Sequence, residues 1–248
     1  MSEETRVANA YTRPCSEQRN IALPISVLLI GLSLGIPLCG AEDVEPIPPV
    51  VLFTKFQVEP PGAVISSLRD ELAAIMRPVG IRFEWRPVPT VGPSEVAAAL
   101  AVVTFKGRCE LSGAEPLQPG TRVLGLTYSS EGVIIPFSDI DCDGIRNFIH
   151  SDLILERPER RNRRYARAIA RVLAHELYHI LANTAEHGQR GLAKPIYRAS
   201  DLLADDLQFD RRNLSALRNG KIVLDLKNSA RVHHSIAAAA AAESEAAH

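Results

Sequence analysis

His175-Glu176-Leu177-Tyr178-His179 places two histidines four residues apart with a glutamate directly after the first. On a helix that spacing sets the imidazoles about 40° apart around the axis, close enough to grip one metal ion. The glutamate is then placed to act on a water held by that ion. A catalytic zinc takes three protein ligands and keeps one position open, so a third donor must come from downstream. His187 is the leading candidate. On a continued helix it would lie about 12 Å beyond His179 along the axis and out of reach. Asn183, however, tolerates the left-handed conformation that ends helices, and the four extended residues to His187 span about 13 Å, enough to fold back. Gly188 eases the exit from the site. Asp201, Asp205 and Asp206 are rival carboxylate donors, and Glu186 is the remaining one.

The motif sits in PERRNRRYARAIARVLAHELYHILAN, a helix predicted from Pro158 to about Asn183. Tyr165, Ile169, Val172, Leu173 and Ile180 fall on one stripe that packs against a sheet, with His175 and His179 at its edge on a cleft wall. The arginines Arg157, Arg160, Arg161, Arg163, Arg164, Arg167 and Arg171 oppose the dipole at a helix start; they read as a solvated first turn paired with nearby acids.

Upstream, VVLFTKFQV from Val50 reads as a strand ended by EPPG. Val64, Ile65, Leu68, Leu72, Ile75 and Met76 recur at helical steps, and Pro78-Val79-Gly80 stops that helix. IRFEWRPV alternates as a half-buried strand. Ser94 to Leu100 reads as a short helix running into the strand AVVTFKG, and Cys109 to Thr121 is rich in turn residues. RVLGLTYSS and GVIIPFSDI, separated by Glu131-Gly132, read as a hairpin. Asp139, Asp141, Asp143 and Gly144 open like a calcium loop, but His150 stands where the bidentate glutamate belongs; the favoured reading is an acidic turn pinned by Cys142, with Ca2+ the alternative. Beyond the loop TAEHGQRGLAKP, Ile196 to Phe209 reads as a helix capped by Ser200, and Leu214 to Leu226 as a last helix or strand.

The order of elements predicts an α+β fold with a mixed sheet, a backing helix and a small helical C-terminal part. Of the 248 residues, 46% are hydrophobic and the net charge is -1, a balance that points to no nucleic-acid partner. Ile21 to Ala41 is uncharged and follows Arg13 and Arg19, so residues 1–41 read as an export signal, with an uncleaved membrane anchor as the alternative. Removing it leaves Cys109 and Cys142, an even count suited to one disulfide in a secreted or periplasmic protein. Residues 42–49 form a proline-rich linker, 50–227 one domain, and 228–248 a low-complexity tail.

His175-Glu176-x-x-His179 on a helix that follows a mixed sheet resembles the zincin metallopeptidases, and the order strand, helix, strands is similar to their metzincin branch. A metzincin has glycine where Ala182 stands, its third histidine where Ala185 stands, and a methionine turn, whereas no methionine follows Met76. The resemblance implies one catalytic Zn2+, a peptide or protein substrate, and Glu176 as general base. Tyr197 is the candidate for a second stabiliser of the tetrahedral intermediate. A secreted zinc-binding protein of the same fold without peptidase activity is the alternative, and a cell-surface interaction domain is the reading without zinc.

Overall fold

The computed structural model describes residues 48–88, 99–111 and 123–228, all within one unit of the chain, Asp43–His248. The expected export segment, most of the linker, the start of the short helix at Ser94, most of the turn-rich segment after Cys109 and the tail lie outside the described residues. Among the described residues no helix is long and apolar enough to cross a membrane.

The fold is α+β around a five-stranded, mostly parallel sheet. In chain order the strands are β1 (Val50–Val58), β2 (Phe83–Pro87), β3 (Leu100–Arg108), β4 (Gly125–Ser130) and β5 (Val133–Asp141), and across the sheet they run β2-β1-β3-β5-β4. The first four in that order are parallel, while β4 runs antiparallel to β5 and forms an edge. Val50 to Thr54 of β1 are all buried, as a near-continuous apolar run in an inner parallel strand should be. Glu131 and Gly132 close the β4–β5 hairpin with φ of 51° and 79°, the paired left-handed residues that a two-residue hairpin turn demands.

The helices are α1 (Gly62–Met76), α2 (Cys142–Leu153), α3 (Pro158–Ala182), α4 (Ala199–Leu203) and α5 (Arg211–Asn219), followed by a helical stretch over 221–228. Val64, Leu68, Leu72, Ile75 and Met76 form the buried face of α1, at the spacing the sequence shows. This face packs along α3 and shares one buried core with alternate residues of the sheet, Val50 and Leu52 of β1 and Ala101, Val103 and Phe105 of β3. From Ala168 to Leu181, α3 is buried on all sides rather than along one stripe. Its alanines at 166, 168, 170 and 174 let the neighbouring elements approach from every direction.

Three expectations are corrected. Cys142 to Leu153 is a helix, not an acidic turn: Cys142, Ile145, Ile149 and Leu153 make its buried face. The three aspartates around its start are engaged elsewhere. Asp141 caps the helix by accepting from the Gly144 N–H at 2.8 Å, Asp143 pairs with Arg146 at 2.8 Å, and Asp139 pairs with Lys106 at 2.6 Å. Second, the helix expected over Ile196 to Phe209 is only the short α4, and its N-terminus is held by Asp201 accepting from the Arg198 N–H at 2.7 Å instead of by Ser200. That helix stops because its last carbonyls are taken from outside. Arg171 donates to Asp201 O and Leu202 O, Arg164 to Leu203 O, and Arg167 to Ala204 O. Third, these arginines are therefore not part of a solvated first turn; Arg171 is fully buried and pairs with Glu71 of α1 at 3.1 Å. Arg157, Arg160 and Arg163 do stand exposed at the helix start.

Cys109 and Cys142 pair as a disulfide, joining the end of β3 to the start of α2 with Cα atoms 4.9 Å apart and 33 residues of separation. The Tyr165 hydroxyl of α3 donates to Cys142 O at 2.8 Å, so the bridge is also tied to the long helix. Closing a loop of that size stabilises by about 3 to 4 kcal/mol through the unfolded chain. The double replacement Cys109→Ala with Cys142→Ala is expected to lower the unfolding free energy by about that amount, measured by urea denaturation; an unchanged midpoint would show that the bridge adds nothing.

Candidate metal centre

Asn183 ends α3 in the left-handed conformation, φ 48°, with its N–H donating to Ile180 O and the Thr184 N–H to His179 O. The chain then turns back, and His187 comes to the face that holds His175 and His179. Its ring centroid lies 5.1 Å from that of His175 and 4.8 Å from that of His179. One ligand atom from each of the three residues falls within 4.8 Å of the others, and among the described residues this is the group that could hold a metal ion. A Cβ on Gly188 would stand 2.8 Å from Asn213 Oδ1, so that side chain would have to shift. The rival donors are placed elsewhere. Asp201 pairs with Lys194, Asp205 with Arg167, and Asp206 and Glu186 are exposed.

The hydrogen bonds around the two helix histidines decide which nitrogens face the cluster. His175 Nδ1 donates to Leu192 O at 2.9 Å, and His179 Nδ1 donates to Thr184 O at 2.7 Å. A carbonyl only accepts, so each Nδ1 carries the proton and each Nε2 presents a lone pair. Those two Nε2 atoms stand 3.1 Å apart. Two nitrogens bound to one zinc at about 2.0 to 2.1 Å in tetrahedral geometry would be about 3.3 Å apart, so the pair is spaced for a cation. Burial also keeps both rings neutral, pushing His175 down to about 4 and lowering His179. Neutral imidazoles with converging lone pairs are the donor set a divalent metal requires.

Glu176 is 6% exposed and lies against the edge strand. Its Oε2 accepts from the Thr127 hydroxyl at 2.6 Å, and a Cβ on Gly125 would come within 2.5 Å of its Oε1. Burial raises its pKa to about 7, with the Thr127 bond opposing the rise. Tyr197 is close by but faces differently from the expected stabiliser. Its hydroxyl donates to Leu192 O and stands 3.0 Å from His175 Nδ1, behind the imidazole rather than at its Nε2. Burial, with Glu176 adding, pushes that hydroxyl above the ordinary phenol range, so it stays a donor.

These groups open on a cavity of about 940 Å³. One wall is β4, another is Pro195 to Tyr197, and Asn147 and Phe148 of α2 close a third side. Among the described lining residues Glu176 alone is a carboxylate, and none is Lys or Arg. Thr127, Gly125 and the carbonyls of Thr184 and Leu192 are functional groups that sequence reasoning missed; the only signal for the first two is their place in the hairpin strand nearest the motif.

No protein-family model matches this chain, and no curated protein matches it.

The purified protein is expected to take up one divalent ion per chain. His187→Ala should weaken uptake by more than the roughly 10- to 100-fold that loss of an outer partner costs, measured by competition with a chromogenic chelator. Because His187 is exposed, the circular dichroism spectrum should not change. Wild-type affinity in that variant would remove His187 from the site.

Proposed function

We propose that this chain is a zinc-dependent metallopeptidase of the zincin type that hydrolyses peptide bonds within extended segments of protein. The observation that carries the reading is the convergence of His175, His179 and His187 beside Glu176 in a cleft walled by an edge strand. His175, His179 and His187 would hold the ion. Zinc, when bound, supplies a Lewis acid that makes water nucleophilic near neutral pH and polarises the scissile carbonyl.

The rest is done by the chain itself. Glu176 takes a proton from the attacking water and passes it to the departing amine, and its burial holds its basicity near neutral pH, where both transfers are favourable. Leu192 O and Thr184 O keep both helix histidines in the tautomer that offers Nε2. Tyr197 braces His175 and walls the cleft with its ring. β4 aligns the substrate, since an edge strand offers backbone groups to an extended peptide. Leu124, Leu126, Phe148, Val172 and Ile196 line the cleft and favour apolar side chains near the cut.

Export to an oxidising compartment belongs to the same reading. The disulfide supports it, because such bridges persist outside the reducing cytosol.

Glu176→Gln is expected to cut the rate of hydrolysis of an unfolded protein substrate by about 10²- to 10⁴-fold while leaving bound zinc unchanged. Turnover is followed by mass spectrometry of the fragments and zinc by elemental analysis. A wild type that binds zinc yet cleaves nothing in a broad peptide library would replace this reading with a zinc-binding module.

A further inference from the structure

We infer that Thr127, held in turn by Ser138, is the positioning residue for the proposed general base; this rests on the peptidase reading above. Gly125 and Thr127 are two apart on β4 and so face the same side of the sheet, toward α3. Gly125 has no side chain, and the Glu176 carboxylate lies in the space a Cβ would occupy, 2.5 Å from Oε1 and 2.8 Å from Cγ. Val172, one turn earlier on α3, fills the other side of that space, 2.8 Å from the same point. The carboxylate is thus pressed onto strand backbone, and Thr127 supplies the polar contact that fixes its rotation.

Thr127 Oγ1 is 2.6 Å from Glu176 Oε2, 3.1 Å from Glu176 O and 2.9 Å from Ser138 Oγ. A hydroxyl has one hydrogen, and the shortest contact, to the carboxylate oxygen, takes it. Ser138 must then donate to Thr127. The register agrees, because Thr127 and Ser138 are directly paired across β4 and β5. Ser138 is 2% exposed, so its hydroxyl has little water to turn to. The chain Ser138 to Thr127 to Glu176 Oε2 anchors one carboxylate oxygen and leaves Oε1 to serve as the base.

The consequence is specific to an edge strand. The strand proposed to align the peptide also sets the angle of the base, so substrate and base share one rigid frame. A Thr127 that only filled space would be replaced by valine without effect on chemistry.

The test compares Thr127→Val, Thr127→Ser and Ser138→Ala in the zinc-loaded full chain with a peptide substrate. Thr127→Val is expected to lower kcat by about 10- to 100-fold with KM and bound zinc unchanged. Thr127→Ser, which keeps the hydroxyl, should restore most of that loss, and Ser138→Ala should lower kcat in the same direction but by less. Wild-type kcat in Thr127→Val, a loss shared by KM or zinc content, or a serine variant as poor as the valine one would overturn the inference. Should Thr127→Val fail to melt cooperatively, Ser138→Ala decides, and an unchanged kcat there overturns it. A wild type that holds zinc without turnover brings down the peptidase reading, and this inference with it; an active wild type alongside an equally active Thr127→Val brings down the inference alone.

Discussion

Two imidazole lone pairs face each other at 3.1 Å on a helix that is buried on all sides. A proton or a metal ion between such groups relieves their repulsion. Burial disfavours the proton, so the arrangement is one that a cation completes. The surrounding structure follows from holding this geometry. A helix free to shift on one face would let the rings part. Here α1, the sheet, α2, α4 and α5 all press on α3. Arg171 also belongs to this constraint, since a buried guanidinium with a carboxylate on α1 and two carbonyls of α4 fixes the rotation of α3 about its own axis.

The second half of the centre is made by one excursion of the chain. Between Asn183 and Leu192 it provides the end of the helix, the third imidazole and the two carbonyls that orient the first two. Thr184 illustrates the economy of this loop. Its N–H satisfies the carbonyl of His179 at the helix end, and its own carbonyl accepts from the ring of the same histidine. The helix cap and the ligand are thereby one unit, and a change that unwound the last turn would also release His179.

What the sequence makes legible here is what local chemistry dictates. The face of α1 follows from apolar residues at steps of three and four, the hairpin from Glu131-Gly132, and the return of His187 from Asn183 acting as a helix end. What stays hidden depends on partners far along the chain. Asp139, Asp141 and Asp143 drew attention to a pattern of alternate oxygens, while the helical spacing of Cys142, Ile145, Ile149 and Leu153 lay beneath it. The arginines of α3 look solvated until α4 brings its carbonyls to them. Thr127 and Glu176 are 49 residues apart, and the carbonyls of Thr184 and Leu192 have no residue type that could announce them.

The Cys109–Cys142 bridge encloses β4 and β5, the hairpin that forms one wall of the cleft. A backbone cut anywhere between these cysteines therefore frees no fragment. Each new end stays fastened to the body of the protein, one through β3 and the other through α2. A chain nicked there keeps its cleft wall attached. The injury would show only as two pieces on a gel run after reduction.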